Sequence, residues 1–151
     1  MNISRLLNKD LIKIGIEAET KEDIISELVN FALENNAPIR NEKKLIRAII
    51  EREKKSTTAL GMGIAIPHGR SFEARDFFIV FGISKHGKDF DSLDMEPVHL
   101  FFLMSAPPDN DTKYLKALKG LSESLRSDEL RESLRNAENQ DIAYFLLKDS
   151  G

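Results

Sequence analysis

Apolar residues recur along this chain with two different periods, and the switches between them divide it into three stretches. Near the N-terminus, Leu11 to Ile16 alternates, with Ile12, Ile14 and Ile16 on one side, which predicts a strand. The period then lengthens. Ile24, Ile25, Leu28, Val29, Ala32 and Leu33 recur at helical spacing behind a Thr20…Asp23 cap, and Pro38 is the expected stop. Asn41 is placed to cap a second helix with Leu45, Ile46, Ile49 and Ile50 along one face.

The middle of the chain has a different texture. Ser56 to Ser71 is rich in Gly, Thr and Ser, around the short run Ile64-Ala65-Ile66. Two β-rich runs follow, Phe77 to Ser84 and Val98 to Met104, continuously apolar as in strands covered on both faces. Between them, His86-Gly87 and Asp91 to Pro97 carry turn chemistry. The C-terminal third returns to helical spacing. Asp111 heads Tyr114, Leu115, Leu118, Leu121 and Leu125; Ser127 heads Leu130 and Leu134; Asn139 heads Ile142, Phe145 and Leu146. Helices on either side of a central group of strands imply an α/β chain with its sheet sandwiched between helical layers. Without a linker or internal repeat, residues 1–151 read as one domain.

Composition narrows the function classes. A net charge of −3, with Lys and Arg interleaved among Asp and Glu, offers no general attraction to nucleic acid or to anionic membranes. The absence of cysteine excludes disulfides, thiolate catalysis and cysteine-ligated metals, and fits a reducing cytoplasm. The opening MNISRLLNKDLIKIG lacks the apolar core of a signal peptide. Phe77–Ile83 and Val98–Met104 are far shorter than the roughly 20 residues a membrane-spanning helix needs, so no membrane insertion is expected.

The chemistry concentrates in Thr57 to Arg70. Gly61 and Gly63 tolerate backbone geometry that other residues resist. Pro67 stiffens the chain just before His68, Gly69 leaves the histidine's far side open, and Arg70 or Arg52 is placed to add a guanidinium for an anion. A neutral imidazole, with an ordinary pKa of about 6.5, is a competent nucleophile at neutral pH. One ring nitrogen attacks while the other is held by a hydrogen bond. Phosphoryl transfer suits such a group, because its barrier falls mainly through positioning and donors aimed at the phosphoryl oxygens.

At these residues the sequence resembles the EIIA domain, type 2, of the bacterial phosphoenolpyruvate-dependent sugar phosphotransferase system. This is the fructose–mannitol class, which includes nitrogen-regulatory EIIA proteins. The resemblance rests on Thr58 and the block Gly61-Met62-Gly63-Ile64-Ala65-Ile66-Pro67-His68. It extends to Glu51-Arg52-Glu53, to Phe90-Asp91-Ser92-Leu93-Asp94 with Pro97-Val98, and to the Leu-rich C-terminal helices, so it covers nearly the whole chain. It implies a three-layer α/β/α sandwich with a mixed sheet, and a cytoplasmic phosphotransferase component. HPr would donate a phosphoryl group to His68, and an EIIB partner of fructose- or mannitol-type uptake would accept it. Arg52 would lie near the phosphohistidine and Thr58 would hydrogen-bond in the site. No cofactor or metal is implied. The alternative within the resemblance is a regulatory EIIA, in which phosphorylation of His68 selects partner proteins. One position departs from the pattern: where the family commonly has a second histidine before a leucine, this chain has Tyr114 before Leu115.

The remaining candidates read as structural. His86 is expected in an exposed turn and His99 as a satisfied strand histidine; with His68 they are too dispersed for a metal site. Asp91 and Asp94 suit turns and caps. Arg126 to Glu138 suits solvated helix faces, and no G-x-S-x-G motif supports a hydrolase.

Overall fold

A computed structural model describes residues 3–149. Short 3₁₀ turns at Ile3–Arg5 and Lys9–Leu11 lead into β1 (Ile12–Ile14). Two helices follow, α1 (Lys21–Glu34) and α2 (Glu42–Lys55), then β2 (Ala59–Gly61), β3 (Ile64–Ala65) and β4 (His68–Arg70). The long strands β5 (Phe78–Lys88) and β6 (Val98–Ala106) precede α3 (Thr112–Ser124), α4 (Asp128–Arg135) and α5 (Gln140–Asp149).

Four of the five helix caps expected from the sequence form; Asp111 stands at the N-cap position of α3 but makes no side-chain cap bond. Thr20 accepts from the Asp23 amide at 3.2 Å, Asn41 from Lys44 at 3.0 Å, Ser127 from Leu130 at 3.1 Å and Asn139 from Ile142 at 2.9 Å. Each satisfies a helix N–H that has no partner within its own helix. The end of α1 differs from expectation. It stops at Glu34, short of Pro38, because Asn36 enters the left-handed region at φ 69°. The Ala37 amide then reaches back to Ala32 O at 3.0 Å and the Asn36 amide to Leu33 O at 3.2 Å. Those two bonds close the helix in a Schellman motif with asparagine in the usual glycine's place.

Six strands form a mixed sheet in the order β1-β5-β6-β3-β2, with β4 also paired to β6. β5 and β6 are antiparallel; β1 runs parallel to β5, and β3 and β4 run parallel to β6. His68 faces Met104 with the same offset by which Ile64 faces Leu100, so β3 and β4 are halves of one strand, broken at Ile66-Pro67. Side chains alternate across the two long strands. Phe78, Val80, Phe101 and Leu103 face α1 and α2, while Ile79, Phe81, Phe102 and Met104 face the C-terminal helices. On that second face Phe81 and Phe102 stack 4.2 Å apart, an arrangement worth about 0.5–1.5 kcal/mol beyond its buried area. The fold is the three-layer α/β/α sandwich expected.

Two local expectations are corrected. His86-Gly87 is not a turn between strands; β5 runs through it to Lys88. The register shifts there, Gly87 takes φ 89°, and its amide donates to Ser84 Oγ at 3.1 Å, so the turn chemistry makes a bulge. In α5 the buried face is Ala143 and Leu147, whereas Ile142 and Phe145 are 42% and 62% exposed. The small Ala143 lets α5 lie close to β1 and the first 3₁₀ turn, which rotates the larger apolar residues outward.

Candidate functional site

The break at Ile66-Pro67 creates the site. Pro67 has no N–H to give the sheet, yet its carbonyl still accepts from the Met104 amide at 3.0 Å, so the strand keeps its register across the break. The Ile66 carbonyl is instead met by the His68 ring, with Nδ1 2.6 Å from it. A carbonyl oxygen only accepts, so Nδ1 carries the proton and Nε2 carries the lone pair.

His68 lines a depression of about 350 Å³ with Ala48, Glu51, Arg52 and Lys55 of α2, Gly69 and Arg70 of β4, and Tyr114 of α3. α2 lies close to β4 because Gly69 is small. A β-carbon there would stand 3.4 Å from Ile49 Cγ1 and 3.5 Å from Ile49 Cα, so Gly69 faces α2 and brings the Arg52-bearing helix near. Its role is therefore not the one expected, of clearing space beside the imidazole. Arg52, at the C-terminal end of α2, donates through Nη1 to Ser56 O at 3.0 Å. On the other side the Tyr114 ring meets His68 edge-on at 5.8 Å, and Arg70 lies over Tyr114 at 5.3 Å while pairing with Asp111 at 3.1 Å.

Partial burial pushes the His68 pKa below its ordinary 6.5; Arg52 and Arg70 push the same way, against the pull of the Ile66 carbonyl. The ring therefore stays neutral and nucleophilic into mildly acidic solution. NMR titration of the ring is expected to give a midpoint below 6.5, moving upward in Arg52→Gln; a midpoint above 6.5 would contradict the geometry. Because the unfolded chain takes up this proton first, the same group costs stability as pH falls below about 6.5. Burial likewise raises the Tyr114 phenol to about 12, so it is a neutral donor at physiological pH.

Not every residue singled out by sequence reaches this depression. Gly61 and Gly63, at φ 133° and 74°, flank Met62 at φ 60° in the β2–β3 hairpin tip. The tip is pinned by Asp94, which accepts from the Met62 amide at 3.1 Å. Gly63 lines a depression beside His99 and Arg131, and Gly61 lines a separate groove of about 300 Å³ with Leu60, Met62, Ile64, Ile66, Leu121 and Leu125 among others. Thr58 lies at that groove too, and its hydroxyl and amide both donate to the buried Glu53 carboxylate, at 2.6 and 2.9 Å. His86 is exposed on β5, and His99 Nδ1 lies 2.9 Å from Ser84 O. Glu53 and Asp111 are residues whose roles the sequence pattern does not reveal. Their spacing from Thr58 and Arg70 carries no local signal; the nearest hint is the adjacency of Glu53 to Arg52.

The profile of the family described as phosphoenolpyruvate-dependent sugar phosphotransferase system, EIIA 2, matches residues 5–150. The chain belongs to that family. Among EIIA 2 relatives, the PTS system fructose-specific EIIABC component of Bacillus subtilis (strain 168) is 39% identical over 141 residues. That match takes in 93% of this chain but only 22% of the Bacillus protein. The nitrogen regulatory protein of Bradyrhizobium diazoefficiens is 32% identical over 147 residues, 97% of this chain and 95% of that one. Among solved structures, nitrogen regulatory protein IIA-Ntr from Neisseria meningitidis superposes with a TM-score of 0.84 at 25% identity, covering 96% of this chain and 98% of that chain. No described helix is long and apolar enough to cross a membrane.

Proposed function

We propose that this EIIA 2 chain is a phosphocarrier that accepts a phosphoryl group from phospho-HPr on Nε2 of His68 and yields it to an EIIB partner. The observation that carries this reading is the hydrogen bond from Nδ1 to the Ile66 carbonyl, which leaves Nε2 as the lone-pair atom of a histidine flanked by two arginines. The Nε2 lone pair forms the new N–P bond. The donor's N–P bond breaks, and its electron pair returns to the donor nitrogen. The proton on Nδ1 stays in place, shared with the Ile66 carbonyl, so the acceptor ring needs no external base. Arg52 lies across the depression as a donor to the phosphoryl oxygens.

Incubation with phosphoenolpyruvate, enzyme I and HPr is expected to add one acid-labile phosphoryl group by intact mass, and an added EIIB protein to remove it. Folded protein with active donors and no adduct would overturn the proposal.

A second reading, that the phosphorylation state selects regulatory partners, is supported by the near end-to-end match to the nitrogen regulatory protein. A solvent-facing apolar set, Leu60, Met62, Leu93 and Met95, with Met95 93% exposed, offers a surface for such a partner. Release of the phosphoryl group to EIIB favours the first reading. A partner held by only one phosphorylation state favours the second.

A further inference from the structure

We infer that Arg70, held by Asp111 and laid over Tyr114, is a second cation that binds the phosphoryl group on His68 and sets how far transfer runs toward this protein. The inference rests on the phosphocarrier reading and adds to it a residue specific to this site. Four observations place Arg70. Residues two apart in a strand point to the same side, so the Arg70 and His68 side chains leave β4 together. Both line the same depression. The Tyr114 ring bridges them, 5.8 Å from the imidazole and 5.3 Å from the guanidinium. Asp111, just ahead of α3, makes no capping bond to its own helix and takes Arg70 Nη2 at 3.1 Å.

Stability does not account for this arrangement. The ion pair is solvent-accessible, at 47% and 29% side-chain exposure, and such pairs add little to folding. Among the described residues, the Arg70 side chain hydrogen-bonds and ion-pairs only with Asp111, which leaves further guanidinium N–H donors at the depression that Arg70 lines. A phosphoryl group on Nε2 brings close to two negative charges and three acceptor oxygens into that space. The planar fork suits those oxygens, and the ring beneath fixes its plane.

The test compares wild type, Arg70→Gln and Arg70→Lys at equilibrium with limiting phospho-HPr, measuring the phosphorylated fraction of each protein by intact mass. Arg70→Gln is expected to shift the transfer equilibrium three- to tenfold toward HPr. Arg70→Lys should fall between it and wild type, since it keeps the charge but loses the fork. The His68 ring titration, which a merely structural role would leave alone, should move upward in Arg70→Gln. Equal equilibria within a factor of two and an unmoved His68 midpoint would overturn the inference. Failure of wild type itself to accept a phosphoryl group would instead overturn the phosphocarrier reading, so the two failures are distinct.

Discussion

His68→Ala is expected to accept no phosphoryl group from phospho-HPr while melting within a few degrees of the wild type. The chemical half of this expectation follows from how the three histidines are held. His68 combines a ring nitrogen fixed by a backbone carbonyl with a depression in which Arg52, Lys55 and Arg70 outnumber the single carboxylate of Glu51. His99 has a carbonyl partner in Ser84, but it sits in a different depression, with Arg131 and Arg135 offset by Asp128 and Glu132. His86 is exposed on the β5 bulge. His99→Gln should therefore leave the adduct intact. The stability half follows from the small stake His68 has in packing. Its loss removes one edge-on ring contact with Tyr114 and one donor to the carbonyl of the half-buried Ile66, at the break between β3 and β4. Together these are worth about 1 kcal/mol, or roughly 2–4 °C in a domain of this size. Intact mass and thermal melting of the two variants settle both halves. An adduct of undiminished stoichiometry on His68→Ala would move the chemistry to another side chain.

What the sequence makes legible is what depends on neighbours along the chain. Thr20, Asn41, Ser127 and Asn139 each cap a helix within three residues, and their signal is local. The paired apolar runs become β5 and β6 because period and β-branching already specify strands buried on both faces. Pro67-His68 stands out because proline before a histidine has a backbone consequence readable without coordinates. The errors share the opposite origin. Gly61 and Gly63 stand close in sequence to His68, yet the β2–β3 hairpin carries them to two other depressions. Gly69 looks like clearance for a side chain, whereas its spare room is taken by Ile49 on α2. Ile142 and Phe145 look like a buried face until the close approach permitted by Ala143 turns α5. The pairing of Arg70 with Asp111 depends on α3 packing beside β4, which no window of sequence contains.

The same long-range logic sets the second large effect. Glu53→Ala is expected to lower the stability by about 2–4 kcal/mol, or roughly 5–15 °C in melting temperature, and to loosen His68 without touching it. Glu53 is 6% exposed and its carboxylate is fully committed. Oε1 accepts from the Thr58 hydroxyl at 2.6 Å, and Oε2 accepts from the Thr58 amide at 2.9 Å and faces Lys21 Nζ at 3.0 Å. Alanine would leave the Thr58 donors buried without acceptors and remove the tie between α1 and the end of α2. From Thr58 the effect has a continuous route. The Thr58 carbonyl accepts from the Ile66 amide at 3.2 Å, and the Ile66 carbonyl is the one that holds His68 Nδ1. A strand freed at Thr58 therefore relaxes the peptide that fixes the tautomer of the His68 ring. Glu53→Gln should be milder, since its amide oxygen can serve the Thr58 N–H and Lys21 while its NH₂ donates to the hydroxyl, which can reverse its role. Thermal melting should rank wild type, Gln and Ala in falling order. ¹⁵N spectra of the His68 ring should show the Nδ1–H tautomer losing population in the same order. If Glu53→Ala melts with the wild type, or if the tautomer stays fixed while stability falls, the hydrogen-bonded route from α1 to His68 does not operate.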